Sequence, residues 1–67
     1  MMIIDEQQAV REYEASCEEL YRHELALHDA HQTQVDVWIR AACDRLHDAV
    51  VRRDRAAAAL DQLRASA

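Results

Sequence analysis

Neither Gly nor Pro occurs among the 67 residues of this chain, and this restricts its fold more than any other feature. Those two residues make most tight turns and bulges and interrupt helices. A β-rich fold without them, and with few β-branched residues, is disfavoured. The abundant residues are Ala, Glu, Arg, Leu, Gln and Asp, which favour helices. The composition therefore predicts an all-α protein.

The length allows one small domain, so residues 1–67 are expected to form a single unit. Its core must be small, because 13 of the apolar residues are Ala and only one Trp and two Tyr are present. A core of this size contributes only a few kcal/mol, and such chains often depend on a disulfide, a metal or oligomerisation.

Heptad spacing of apolar residues predicts an amphipathic helix in the first half of the chain. The two sets of positions are Ile3, Val10, Cys17, Glu24 and His31, and Glu6, Tyr13, Leu20 and Leu27. Asp5 followed by Gln8 predicts a capping box at the helix start, with Ile4 as a hydrophobic staple before it.

The second half repeats with the alternation of a coiled-coil seam. Its two sets are Val35, Ala42, Ala49, Ala56 and Leu63, and Ile39, Leu46, Arg53 and Leu60. The pattern resumes at Ile39, eight residues after His31, so one residue is inserted near 28–34. This polar segment, with Thr33 and Asp36 resembling a capping box, favours an antiparallel two-helix hairpin with its turn near 28–34. The alternative is a single long coiled-coil helix with a skip.

A turn centred near residue 30 predicts that Cys17 faces Cys43 and that Val10 faces Val50. Residues 1–33 carry a charge of −6 and residues 34–67 carry +1, so an antiparallel pairing is electrostatically favourable. In this register the second helix overhangs the first by about two turns.

The overhang predicts that the hairpin dimerises into a four-helix bundle, because Leu60 and Leu63 would otherwise have no partner except Met1 and Met2. The residues expected at the interface with a second copy or a larger protein are Val10, Cys17, Leu20, Leu27, Val35, Trp38, Ile39, Leu46, Val50, Arg53, Leu60 and Leu63. Trp38 either caps the bundle end against Leu25 and Leu27 or forms part of a docking surface. The polar seam residues Glu24 and Arg53 are candidates for fixing register and partner choice.

Two polar constellations could carry chemistry. Glu24, His28 and His31 follow i, i+4, i+7 spacing, so two copies across a dimer could hold a metal; the alternative is that they are solvated residues near the turn. Cys17 and Cys43 could form a disulfide; the alternative is two reduced thiols. The N-terminus shows no signal peptide, which favours the cytoplasm and reduced thiols, and no segment could span a membrane.

An enzyme is not expected, because no Ser–His–Asp or Cys–His arrangement is evident and a phosphate loop needs Gly. No cofactor is expected. Nucleic-acid binding is disfavoured, because Asp54 interrupts the cluster of Arg52, Arg53 and Arg55. The leading hypothesis is a small helical interaction module that self-associates and docks on a larger partner. The alternatives are a metal- or redox-responsive four-helix bundle and, less favoured, a small nucleic-acid-associated regulator.

Overall fold

The computed structural model describes residues 5–66 as two helices, α1 (Glu6–Thr33) and α2 (Asp36–Ala65), joined by Gln34 and Val35. The helices pack against each other as an antiparallel hairpin that measures 49 × 20 × 14 Å. The predicted all-α hairpin is therefore confirmed, and the single long helix is wrong. Predictions that involve Met1, Met2, Ile3 and Ile4 fall outside the described residues.

The start of α1 follows the prediction in part. The Asp5 carboxylate accepts a hydrogen bond of 2.7 Å from the Gln8 backbone N–H, while the Asp5 backbone is extended. This is the capping half of the predicted box. The Gln8 side-chain amide instead donates to the Glu12 carboxylate at 3.3 Å, along the helix surface.

The turn lies at Gln34 and Val35, so the prediction that it centres near residue 30 is wrong. The chain reverses without Gly because Gln34 adopts the left-handed conformation (φ 60°, ψ 22°), from which its N–H donates to the His31 carbonyl at 3.3 Å. The Thr33 hydroxyl donates to the Ala30 carbonyl at 2.6 Å and accepts from the Val35 N–H at 3.2 Å. Thr33 thus ends α1.

The predicted capping box between Thr33 and Asp36 is also wrong. Val35 occupies the N-cap position of α2 and makes no side-chain cap hydrogen bond. Its carbonyl accepts the N–H groups of Trp38 and Ile39 at 3.1 Å and 3.0 Å. The Thr33 hydroxyl, which the sequence predicts to cap α2, instead donates to the Ala30 carbonyl at the end of α1.

The predicted overhang of α2 is wrong, because α1 continues to Thr33 and the helices have nearly equal lengths of 28 and 30 residues. Leu60 is buried, with only 6% of its surface exposed, and Leu63 is half-buried. Arg64 reaches the first turn of α1, where its Nε lies 3.1 Å from the Glu6 carboxylate. The far ends of the hairpin therefore cover each other.

Two ion pairs between the helices show which residues of α1 and α2 lie at the same level. Glu19 contacts Arg52 at 3.1 Å near the middle of the hairpin, and Glu6 contacts Arg64 at its open end. This register corrects the predicted pairs: Cys17 lies level with the region of Arg53 and far from Cys43, and Val10 lies near the end of α2 and far from Val50.

The seam of α1 agrees with one predicted heptad set. The other set is shifted by one position along the chain. Leu20 is buried, and Tyr13 and Leu27 are half-buried, as expected for seam positions. The companion set is Ala9, Ser16, His23 and Ala30, not Val10, Cys17, Glu24 and His31. Small side chains at these positions allow α2 to approach closely. The Ser16 hydroxyl donates to the Tyr13 carbonyl at 2.6 Å, which satisfies it in the seam.

The seam of α2 follows the predicted positions from Ile39 to Leu63, whereas Val35 is exposed. The register marked by the two ion pairs, combined with the heptad positions, implies that a large residue of one helix lies opposite a small residue of the other at most levels of the seam. The positions inferred to face each other in this way are Ala9 with Leu60, Tyr13 with Ala56, Leu20 with Ala49, Leu27 with Ala42, and Ala30 with Ile39. At the level of His23 and Leu46 both side chains are large. The buried apolar residues of the described chain are three Ala and two Leu, and no large side chain is buried completely.

Candidate interaction surfaces

The seam leaves the hairpin with two broad sides, each about 49 Å by 20 Å. Helical periodicity assigns the residues beside the seam to one side or the other. The apolar face is defined by Val10, Cys17, Val50 and Ala57, which are all half-buried and lie in the half of this side near the open end of the hairpin. The same seven-residue spacing continues on this side through exposed residues: Glu24, His31, Cys43 and Arg64. The ion-pair face is defined by Glu12, Glu19, Ala26, Arg45, Arg52 and Ala59, of which Glu19 alone is half-buried.

Tyr13, Cys17 and Arg53 form a small polar group at the seam edge of the apolar face. A hydrogen bond to Cys17, followed by the charge of its thiolate and by burial, raises the pKa of Tyr13, and the nearby Arg53 opposes that rise. The Arg53 guanidinium donates to the Asp54 carboxylate at 3.0 Å and 3.3 Å, and this bond raises the pKa of Arg53. The Arg53 guanidinium therefore has a partner within the chain.

Glu19 is the central residue of the contacts on the ion-pair face. Its carboxylate lies 3.1 Å from Arg52 on the other helix and 3.9 Å from His23 on its own helix, and the second contact is an ion pair only when His23 is protonated. Exposed pairs of this kind contribute less than about 1 kcal/mol each. They do keep this face polar.

Large exposed apolar residues concentrate in the half of the hairpin near the turn. We call them the turn-proximal group: Tyr21, Leu25, Val35, Val37 and Trp38. Val37 is 72% exposed and Trp38 is 58% exposed. Leu25 and Leu27 therefore do not cover Trp38 within one chain. Side chains of this kind mark protein contacts when they are grouped on a surface.

The residues predicted to form an oligomer interface occupy three kinds of environment in a single chain. Leu20 and Leu60 are buried in the seam, and Val35 and Trp38 are exposed. The remaining members are half-buried: Val10, Cys17, Leu27, Ile39, Leu46, Val50, Arg53 and Leu63. Coverage of these residues by a partner stays a prediction.

Glu24, His28 and His31 lie along α1 and are all exposed. Glu24 is outside the seam, so the prediction that it is a polar seam residue is wrong. Within residues 5–66 no group of three or more His, Cys, Asp or Glu side chains is arranged to hold a metal ion. A single hairpin thus offers no preformed metal centre in its described part.

Cys17 and Cys43 are free thiols, the first half-buried and the second exposed. The register separates them by about ten residues along the hairpin, which corresponds to about 15 Å at the rise of an α-helix. A disulfide requires Cα atoms within about 7 Å of each other. The predicted disulfide within one chain is therefore wrong.

The Arg cluster of α2 is largely neutralised by neighbouring carboxylates. Arg52 pairs with Glu19, and Arg53 pairs with Asp54. A depression of about 420 Å³ lies beside them on α2, and it is lined by Asp48, Val51, Arg52 and Arg55. A phosphate backbone would have to compete with these carboxylates, so the structure gives the nucleic-acid hypothesis no support.

Comparisons with known proteins find no match to any family model, curated protein or solved structure at a significant level. Within residues 5–66 neither helix combines the length and hydropathy needed to cross a membrane.

Proposed function

We propose that this protein is a non-enzymatic helical interaction module that self-associates into a four-helix bundle and presents its turn-proximal group to a larger protein. The observation that carries the proposal is the mismatch between core and surface. Among residues 5–66 five apolar residues are buried, three of them Ala, whereas Trp38 is 58% exposed and Val37 is 72% exposed.

A two-helix hairpin covers only one side of each helix. Val10 and Val50, which flank the seam, and Leu46 within it therefore remain partly in contact with water. Helices in water gain most of their stability from packing of their apolar surface, and two helices alone supply little of it. A second hairpin placed on this one would cover the same residues in both copies.

The molar mass in solution tests self-association. Sedimentation equilibrium over a range of micromolar concentrations should give twice the 7.7 kDa mass of the chain, and the melting temperature should rise with concentration. A single chain of 7.7 kDa that melts cooperatively at micromolar concentration, with no dependence on dilution, would contradict the proposal.

The second part of the proposal concerns the turn-proximal group. Replacing Trp38 with Ser should leave the oligomer mass unchanged and abolish recovery of proteins that the wild type captures from its native host. Gln32→Ser at the end of α1 is the matched control, because Gln32 is exposed and polar. Equal recovery by wild type, W38S and Q32S would show that Trp38 has no part in docking.

A further inference from the structure

We propose that the second copy docks on the apolar face with both turns at the same end, so that α1 of each chain lies against α2 of the other. The inference rests on the proposed self-association and deepens it, since it names the surface and the relative orientation. Three properties of the hairpin lead to it: the polarity of the two sides, the area available and the distribution of charge between the helices.

The two sides of the hairpin differ in polarity beside the seam. The apolar face presents Val10, Cys17, Val50 and Ala57, and each retains partial exposure that another chain could remove. The ion-pair face carries the Glu19–Arg52 bridge and the exposed Arg45. Docking on that side would require dehydration of charged groups, which costs several kcal/mol per ion when pairing is imperfect. Docking centred on Val10, Cys17, Val50 and Ala57 avoids this cost at those four positions, and the charged Glu24 and Arg64 lie towards the two ends of this side.

The polar groups on the apolar face suit a protein interface. Tyr13 and Arg53 are half-buried, and Arg53 already has a partner because its guanidinium bonds to Asp54. Tyr and Arg are enriched at the centres of protein interfaces, where a paired polar atom can be covered without losing its hydrogen bond. The middle of this face therefore combines small apolar residues with two interface-type side chains.

The whole side of the hairpin is large enough for a second copy. A specific interface covers about 800 Å² on each partner. The side measures 49 Å by 20 Å, which exceeds this area, so an interface of ordinary size centred on the apolar face would extend to the polar residues around it. A symmetric dimer also uses the same patch twice, so the apolar face needs no second complementary surface elsewhere on the chain.

The charges of the helices select the orientation. α1 contains seven carboxylates and two Arg, a net charge of −5, and α2 contains five carboxylates and six Arg, a net charge of +1. A two-fold axis that lies in the plane of the interface and is perpendicular to the long axis of the hairpin would place α1 against α1. This arrangement would bring the two acidic helices together. A two-fold axis along the hairpin places α1 against α2 of the other copy. Coulomb repulsion favours the second arrangement, in which both turns lie at one end.

Two Ala residues in the same run of α2 provide a matched test of the face. Ala57 is half-buried on the apolar face, and Ala59 is exposed on the ion-pair face. A57E should raise the dimer dissociation constant at least tenfold, whereas A59E, with the same added charge, should leave it within about twofold. Circular dichroism at high concentration confirms that both variants are helical. If A57E does not fold, V50E serves as a second apolar-face substitution and C17S as a milder one.

Distances between spin labels test the orientation. Gln32→Cys near the turn is labelled in a chain with Cys17→Ala and Cys43→Ala. With both turns at one end, the two labelled helices lie diagonally across a bundle with spacings of about 10 Å, so their backbones should be about 15 Å apart. With opposed turns, the labels should be separated by nearly the 49 Å length of the hairpin. A label at Gln7 at the other end of α1 provides an independent second distance with the same expectation.

The outcomes separate this inference from the proposed function. A monomeric wild type overturns both. A dimeric wild type that dissociates with A59E and persists with A57E and V50E overturns the docking face but keeps self-association. A dimer with the expected response to A57E and a label distance near 49 Å overturns the orientation alone. Selective loss with A57E and a short label distance support the complete proposal.

Discussion

A carboxylate oxygen of Glu19 on α1 lies 3.1 Å from Nη1 of Arg52 on α2, near the middle of the hairpin. The side chains of Glu19 and Arg52 are 35% and 52% exposed. Exposed ion pairs of this kind contribute only about 0.2–1 kcal/mol to stability. The importance of the Glu19–Arg52 pair is positional, because it identifies the register in which the small residues of each helix face the large residues of the other. That register can be tested directly.

The facing of Leu20 and Ala49 predicts a compensating pair of substitutions. L20A should lower the free energy of unfolding by about 2 kcal/mol, because it opens a cavity beside a residue that is 1% exposed. A49L alone should also destabilise the hairpin, by about 1–3 kcal/mol, because it overfills the seam. The double variant should be more stable than either single variant in urea unfolding.

Ala42 supplies the control for this cycle, because it is buried two turns away and faces Leu27. Combining L20A with A42L should give a protein that is less stable than L20A alone. Rescue by A42L equal to that by A49L would contradict the register.

The left-handed backbone of Gln34 predicts a stabilising substitution. Its φ of 60° is unfavourable for a residue with a side chain, and Gly adopts it freely. Q34G should raise the free energy of unfolding by about 0.5–1 kcal/mol. Q32G, inside the last turn of α1, should lower it by a similar amount because Gly is a poor helix former. Thermal unfolding of the two variants measures the opposite signs.

The Thr33 hydroxyl predicts a loss of stability at the turn. T33V keeps the shape of the side chain but removes both hydrogen bonds, to the Ala30 carbonyl and from the Val35 N–H. The free energy of unfolding should fall by about 1 kcal/mol. T33S keeps the hydroxyl and should lie close to wild type. Equal stability of T33V and wild type in chemical unfolding would show that water replaces the hydroxyl.

From the position of Arg53 we expect that its replacement by an apolar residue raises stability but lowers the specificity of assembly. Arg53 occupies a half-buried seam position level with Ser16, where its guanidinium pairs with the neighbouring Asp54. R53L should raise the melting temperature and broaden the distribution of oligomers, as buried polar groups in some coiled coils fix register. R55L, at an exposed position of the same helix, is the control. A monodisperse R53L dimer in sedimentation velocity would argue against a role in register.

Tyr13 predicts a dependence of stability on alkaline pH. Its hydrogen bond with Cys17 and the charge of that thiolate hold the pKa of Tyr13 above its ordinary value of 10.0 in the folded chain. A raised pKa favours the neutral phenol, so this contribution is fully present below pH 10 and is lost as the pH rises through the folded pKa. Unfolding free energies measured above pH 10 should fall more steeply for wild type than for Y13F. Absorbance titration of Y21F, in which Tyr13 is the remaining Tyr, reports the pKa itself.

The sequence by itself determined that the chain is helical and which face of α2 meets α1, and it favoured a hairpin over a single long helix. These features depend on local properties: the absence of Gly and Pro, the heptad alternation from Ile39 to Leu63, and the preference of Asp5 for a cap position. Each of them is a property of residue types and their spacing along the chain, so it can be read from the sequence alone.

Only the tertiary structure decided where the turn lies and which residues of α1 form the seam. Sequence patterns favoured Val10 and Cys17 over Ala9 and Ser16, because apolar size is the usual mark of a core position. The seam has small residues at these positions instead, since Ala9 lies opposite Leu60 and a small side chain opposite a large one lets two helices approach closely. The turn at Gln34 could not be read from the sequence, because no Gly marks it and the chain reverses through one left-handed residue at a cost of about 1–2 kcal/mol.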